Sequence, residues 1–339
     1  MVYIVRYENY EVTDYYLDII KDAFLELGYE VKNTQKIEDK SQTSIIVVST
    51  IIDVFKYYFK GYHNIFLWMQ GIDPEESYLK HHSIIKKTIL ELITYFSLKV
   101  IKGVFFVSNE MKNYVEKKYN KKNNCFIMPC FNTSIDVDSF TYKNKYNKNI
   151  FTYVGSLSKW QCFNETVELY KKIEENIKDT QLKVYTFSVE EAKKVLKEKN
   201  VKNYVVEKVS PNEISTVLKE AKFGFTLRND IAVNNVATPT KLSSYLSAGV
   251  IPIFSMCIRD FYENTLDKKF VIPIDSFENI PINVLKLCKE KINADDIYRE
   301  YQEIFSTYYN RESYKENMKK WLGGILNETK NKWMENFYV

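Results

Sequence analysis

Two cations and a helix start stand out in the window Phe223–Ile253. The run FGFTL reads as a buried strand ending at Arg228. A polar loop follows, and Pro239-Thr240 opens a helix that carries Lys241 in its first turn and stops at Gly249. Proline at the start and glycine past the end is the order that helix termini favour. Free amides at that start, flanked by a lysine and an arginine, suit a diphosphate, because the helix N-terminus is itself partly positive. The same residues also make an ordinary capped helix with two solvated cations, and composition alone does not choose between the two.

Glycine adds a second signal. The chain has nine glycines in 339 residues, well under the usual frequency of about 7%, so each one has weight as an answer to a local backbone need. Gly71 and Gly155 follow strand-like runs, IFLWMQ and IFTYV. They therefore fall at carboxyl ends of parallel strands, the edge where such sheets take ligands. A plain turn would also place glycine there.

Elements able to position these residues recur along the chain. Branched and aromatic runs alternate with helical-period segments, the pattern of parallel sheets covered by helices. The fold class is α/β, with a βα array in each half and a cleft expected where the strand ends face each other. The polar stretch Thr141–Asn149 reads as the linker, which divides the chain into domains at 1–145 and 149–290. A helical segment over 291–339, with breaks expected near Asn310 and at Gly323–Gly324, packs back on the first domain in this reading. One long helix is expected over Ser77–Lys102, its stripe Ile85, Ile89, Leu92, Phe96 and Val100 facing the core.

Composition removes several function classes. Lys and Arg total 48 against 44 Asp and Glu, a balance that leaves no nucleic-acid footprint. Cys125, Cys130, Cys162, Cys257 and Cys288 show neither CxxC spacing nor an even count, so no disulfide framework or zinc site is expected. A reducing cytoplasm is the simplest location. Arg6, Glu8 and Glu11 interrupt any secretory leader, and lysines break the apolar run Ile84–Val107, so no membrane span is expected. His63, His81 and His82 form no nucleophile or general-base constellation. Asp295-Asp296 reads as complementing a helix dipole rather than holding a metal.

The segment Thr238-Pro239-Thr240-Lys241-Leu242, with Tyr245-Leu246, Ala248-Gly249 and Pro252-Ile253, resembles the donor-binding segment of GT-B-fold glycosyltransferases of the retaining family 4 type. Tyr153-Val154-Gly155-Ser156-Leu157, followed by Lys159-Trp160, looks like the opening strand and loop of their C-terminal domain. Trp68-Met69-Gln70-Gly71, Pro74-Glu75-Glu76-Ser77, Val107-Ser108, Met111 and Pro129-Cys130-Phe131 are similar to segments of polysaccharide-assembly members. The likeness spreads over residues 1–290.

The resemblance implies two Rossmann-like domains and transfer of a hexose, with retention, from a nucleotide sugar to a glycan or lipid-linked glycan in bacterial-type surface polysaccharide synthesis. It implies no metal and no further cofactor. Arg228 and Lys241 would stabilise the departing diphosphate, with Gly155, Ser156, Lys159, Asn234, Asn235, Thr238, Pro239, Thr240 and Ser244 on the donor side. Gln70, Gly71, Glu75 and Glu76 would serve the acceptor or the hexose, although glutamates after Pro74 also complement a helix start. The chain departs from the family pattern at Ser244 and Val236, where glutamates are common, and at Gln70, where histidine is. Those departures keep open a binding or scaffold protein without turnover. A sugar-nucleotide epimerase is the weaker alternative, since it would need acid/base carboxylates and histidines in the cleft, which this histidine-poor chain does not supply. The cluster Lys80, Lys86 and Lys87, with the aromatic run Tyr57–His63, reads as a solvated basic face or as a peripheral contact with the inner face of a membrane.

Overall fold

The run IIVV at Ile45–Val48 is buried at every position, as a parallel strand covered on both faces must be. Strands of this kind build the molecule. The computed structural model describes residues 1–6, 11–39 and 41–335, without the side chains of 11–13 and 328–335; Glu8 lies outside the described residues. The chain divides into two units.

The first unit contains Met1–Cys130, Val236–Thr238 and the chain from Asn310 onward. Its strands are β1 (Val2–Val5), β2 (Val31–Thr34), β3 (Ile45–Val48), β4 (Asn64–Met69), β5 (Gly103–Phe106) and β6 (Cys125–Ile127). They form one parallel sheet in the order β2-β1-β3-β4-β5-β6. The order reverses at β1, so a crevice is expected at the carboxyl ends of β1 and β3. Tyr16 stacks on Trp68 at 4.2 Å. Trp321, from the helix Arg311–Glu335, meets the rings of Phe105, Phe126 and Phe66 at 5.1, 5.7 and 6.0 Å. That helix also pairs with the helix Glu11–Glu26 through Arg311 to Asp22 and through Lys315 and Lys319 to Glu26.

The second unit contains Phe131–Asn235 and Pro239–Tyr309. Its strands are β7 (Asn149–Val154), β8 (Thr180–Tyr185), β9 (Tyr204–Glu207), β10 (Phe223–Thr226), β11 (Ile251–Ser255) and β12 (Ile272–Ile274). They are parallel in the order β12-β11-β10-β7-β8-β9. Here the reversal lies between β7 and β10. Phe151 stacks on Phe223 and Phe225 at 4.7 and 5.7 Å, forming the middle of the core.

Four expectations are corrected. The single helix over Ser77–Lys102 is two, Asp73–His81 and Ile84–Val100, because His82 turns left-handed at φ 51° and the Ser83 hydroxyl caps a fresh start by accepting from the Lys86 amide. The stripe Ile85, Ile89 and Leu92 is exposed rather than core. The helix instead buries Thr94, Ser97 and Leu98, and Ser97 donates to the Ile51 carbonyl, so small polar residues set a close approach. The helix Arg311–Glu335 runs through Gly323–Gly324 without a break, although the break near Asn310 is present. The stretch Thr141–Asn149 lies within the second unit. Lys145 and Tyr146 are buried there and bond the carbonyls of Ala248 and Gly249. Among the described residues no helix is long and apolar enough to cross a membrane.

Candidate functional site

In the second unit the site grows from the end of β7. Gly155 has φ +139°, a region that L side chains rarely adopt, and a Cβ placed there would lie 3.2 Å from Lys241 Nζ. Both facts call for glycine. The Gly155 amide donates to the Tyr185 carbonyl at 2.9 Å. The Tyr153 hydroxyl donates to the Ser156 carbonyl at 2.6 Å, fixing the loop that follows.

Lys241 lies in the first turn of the helix Thr240–Ser247, which starts at Pro239 without a side-chain cap. Its ammonium sits 4.6 Å from the centre of the Tyr153 ring and donates to Gln161 Oε1 at 3.2 Å. The residue as a whole is half-buried, but its charged end is crowded by protein. Burial, and then the nearby Arg228, hold the ammonium well below its usual range. Arg228, just past β10, is 6% exposed. Its amide donates to Ser255 Oγ at 2.8 Å and its guanidinium to the Leu227 carbonyl at 3.2 Å, and burial pulls its pKa down as well. Among the described residues neither cation pairs with a carboxylate. Two crowded cations lie here beside an uncapped helix start, and a compact anion would relieve their mutual repulsion.

The first unit carries a cavity of about 470 Å³ at the carboxyl ends of β1, β3 and β4, where its strand order reverses. Arg6, Thr50, Trp68, Gln70, Asp73 and Glu76 line it. Arg6 bonds Asp14 at 3.1 Å and Asp18 at 2.7 Å, while its Nε and Trp68 Nε1 are buried without partners in the described structure. Such donors are costly to leave unpaired, and polar ligand groups would satisfy them. A Cβ at Gly71 would sit 1.9 Å from Glu76 Oε1, so the glycine lets that carboxylate lie across the strand end. Crowding by the protein around Asp73, and then the Glu76 charge, push the Asp73 carboxyl up to about 6, although the residue as a whole is exposed, which weakens both effects.

No protein-family model matches the chain, nor does any curated protein sequence. Solved structures do. The Anabaena protein Alr3699/HepE, solved with UDP and glucose, gives a TM-score of 0.66 at 10% identity over 95% of this chain and 99% of that one. A mutant of S. aureus TarM, solved with fondaparinux, α-GlcNAc-glycerol and UDP, gives 0.64 at 12% identity. That match covers 85% of this chain, which spans only 56% of the TarM chain. A UDP-forming α,α-trehalose-phosphate synthase from Burkholderia xenovorans gives 0.58 at 10% identity, covering 95% and 80%. This chain brings to that likeness two parallel six-stranded sheets with flanking helices. The fold is GT-B.

Within this GT-B chain the remaining sequence candidates take varied places. Asn234 is buried and donates to the Asn229 carbonyl at 2.9 Å, and Asn235 donates to Asp230 Oδ1 at 2.8 Å, so both brace the loop before the helix. Thr238 groups with the first unit, its hydroxyl accepting from the Cys130 amide at 2.9 Å. Val236 is also there, buried, its carbonyl accepting from the Ser108 hydroxyl at 2.7 Å. The Ser244 hydroxyl lies 3.1 Å from Asn132 Oδ1 and 3.2 Å from the Thr240 carbonyl. Ser156 and Lys159 are exposed on the loop after β7. Glu75 points away from the cavity into an ion cluster with Lys87 and Lys118, both at 2.6 Å, and Tyr114 at 2.7 Å.

Sequence reasoning missed Gln161, Ser255, Thr50 and Asp73 as site residues. Thr50 and Ser255 carried a usable signal, since each stands at or just past the end of a β-branched run at the ligand edge of its sheet.

Proposed function

We propose that this chain is a hexosyltransferase that moves a sugar from a nucleotide-sugar donor to a glycan or lipid-linked glycan acceptor. One observation carries the reading: Arg228 and Lys241, without carboxylate partners among the described residues, gather beside Gly155 at the strand-order reversal of the second unit. Negative charge develops on the departing nucleoside diphosphate, and preorganised cations and amides aimed at it lower the barrier. Neutralisation by two side chains supports transfer without a metal ion. The donor side is assigned to the second unit and the acceptor side to the first, where the orphan Trp68 and Arg6 donors would meet sugar hydroxyls. Retention of anomeric configuration, a cytoplasmic location and a role in bacterial-type surface polysaccharide synthesis complete the proposal, and they rest on the family resemblance of the motifs.

The test is a thermal-shift screen of UDP-, GDP-, CDP- and dTDP-sugars followed by donor hydrolysis with and without a chelator, since ligands of the native state raise its apparent stability. UDP comes first because HepE and TarM were solved with it. Stabilisation by one nucleotide class with chelator-insensitive hydrolysis is expected; no response to any donor overturns the reading. A second reading, a nucleotide-sugar binder without turnover, is favoured by Ser244 and by the buried Val236 standing where family glutamates are common. Stabilisation without hydrolysis or transfer would select it.

A further inference from the structure

The helices Ile51–Tyr58 and Ile84–Val100 lie side by side in the first unit, joined by Phe96 against Phe55 and Phe59 at 5.5 and 5.6 Å. Their outer faces are apolar. Ile85 is 76% exposed, Leu92 65%, Phe59 64% and Ile52 58%, and Phe55 and Ile89 are exposed as well. Within each helix the spacing puts these side chains on one face. Scattered surface apolar residues are ordinary, but a contiguous patch of large ones marks a binding surface.

Charge on this face has one sign. Lys60, Lys86 and Lys99 are exposed on or next to the two helices. The carboxylates of the same helices are engaged: Asp53 is buried and bonded to Thr50 and Lys56, and Glu91 is held by Lys118 at 2.6 Å. An isologous contact between two copies would set like-charged lysine rims against each other. An anionic bilayer instead meets both features at once, taking apolar side chains into the headgroup boundary while its phosphates attract the lysines.

We propose that this face docks the protein on an anionic membrane surface. The assignment stands on exposure and charge in the first unit and holds whether or not the chain transfers sugar. Of the sequence cluster Lys80, Lys86 and Lys87 with the aromatic run Tyr57–His63, it keeps Lys86 and that run, adds the outer stripes of the two helices, and drops Lys87, which is spent on Glu75.

The full chain would be sedimented with vesicles of phosphatidylcholine alone and of phosphatidylcholine mixed with phosphatidylglycerol. Binding to the mixed vesicles is expected, falling about tenfold or more in Phe59→Ser/Leu92→Ser. In Lys60→Glu/Lys86→Glu/Lys99→Glu the loss should reach about fivefold per lysine. All five side chains are exposed, so unchanged melting curves confirm that both variants fold. Absence of binding, or equal binding by wild type and either variant, overturns the proposal. So does light scattering that shows a dimer lost in Phe59→Ser/Leu92→Ser without vesicle binding, which would make the face a contact between copies.

Discussion

Lys241 holds a charge that its surroundings resist, with Arg228 nearby, a tyrosine ring beneath it and one neutral acceptor. Such an arrangement is stabilised when water solvates the ammonium or when an anion supplies the missing counter-charge. Lys241→Ala is therefore expected to weaken nucleotide-sugar affinity about ten- to a hundredfold, the worth of a charge-assisted phosphate contact. Lys86→Ala, on an exposed face of the other unit, should leave it unchanged. Calorimetric titration of both variants checks this, and equal losses would remove Lys241 from the site. Gly155→Ala tests the same place from the backbone side. A methyl group at φ +139° costs about 1–3 kcal/mol of stability and crowds the ammonium 3.2 Å away, so donor affinity should fall as well. Denaturant unfolding with a parallel titration reads both quantities.

At the scale of elements, Glu75 ties the helix Asp73–His81 to Ile84–Val100 and Asn109–Tyr119. Burial alone would raise its carboxyl pKa, but the bonds from Lys118, Lys87 and Tyr114 outweigh it and hold the group near about 2. A depressed carboxyl contributes stability that is fully present above its unfolded value of about 4.5; the contribution fades as pH falls toward the folded value. Glu75→Gln should therefore cost about 1.5–3 kcal/mol at neutral pH, with the gap to wild type closing between about pH 4.5 and 2. Urea melts across that range test the sign. In the helix Arg311–Glu335, Gly324 has nothing within 4 Å of a Cβ, so Gly324→Ala should raise stability by about 0.5–1 kcal/mol; a lower melting temperature would contradict it.

These elements also show how far sequence reasoning reaches. Asn64–Met69 and Thr240–Ser247 are legible because the apolar run before Gly71 and the Pro239 and Gly249 ends mark them. The orientation of Ile84–Val100 is not, because hydrophobic spacing tells which residues share a face but not what covers it. The gathering of Arg228, Lys241 and Gly155 is foreshadowed by their places at strand ends and a helix start. The engagement of Glu75, the bonds of Ser244 to Asn132 and the bracing roles of Asn234 and Asn235 depend on partners far along the chain or on loop geometry, which spacing does not record.

On the scale of the whole molecule, the chain builds its first unit from pieces that are far apart in sequence, since Val236–Thr238 and the segment from Asn310 onward return to it. Trp321 supplies an indole against three phenylalanines on β4, β5 and β6. Trp321→Ala should cost about 3 kcal/mol through loss of buried aromatic packing, seen as an earlier denaturant midpoint; an unchanged midpoint would mean the indole only covers a surface. The return also has a consequence for birth on the ribosome. Chains are made from the amino end at about 5–20 residues per second, and domains ordinarily close as they emerge. This first sheet closes without one of its covers. Phe66, Phe105 and Phe126 lack their Trp321 contact through the synthesis of the entire second unit, until that indole leaves the exit tunnel. For that interval the nascent sheet presents the sticky aromatic surface that holding chaperones bind, so the yield of folded protein should depend on them more than the stability of the finished molecule would suggest.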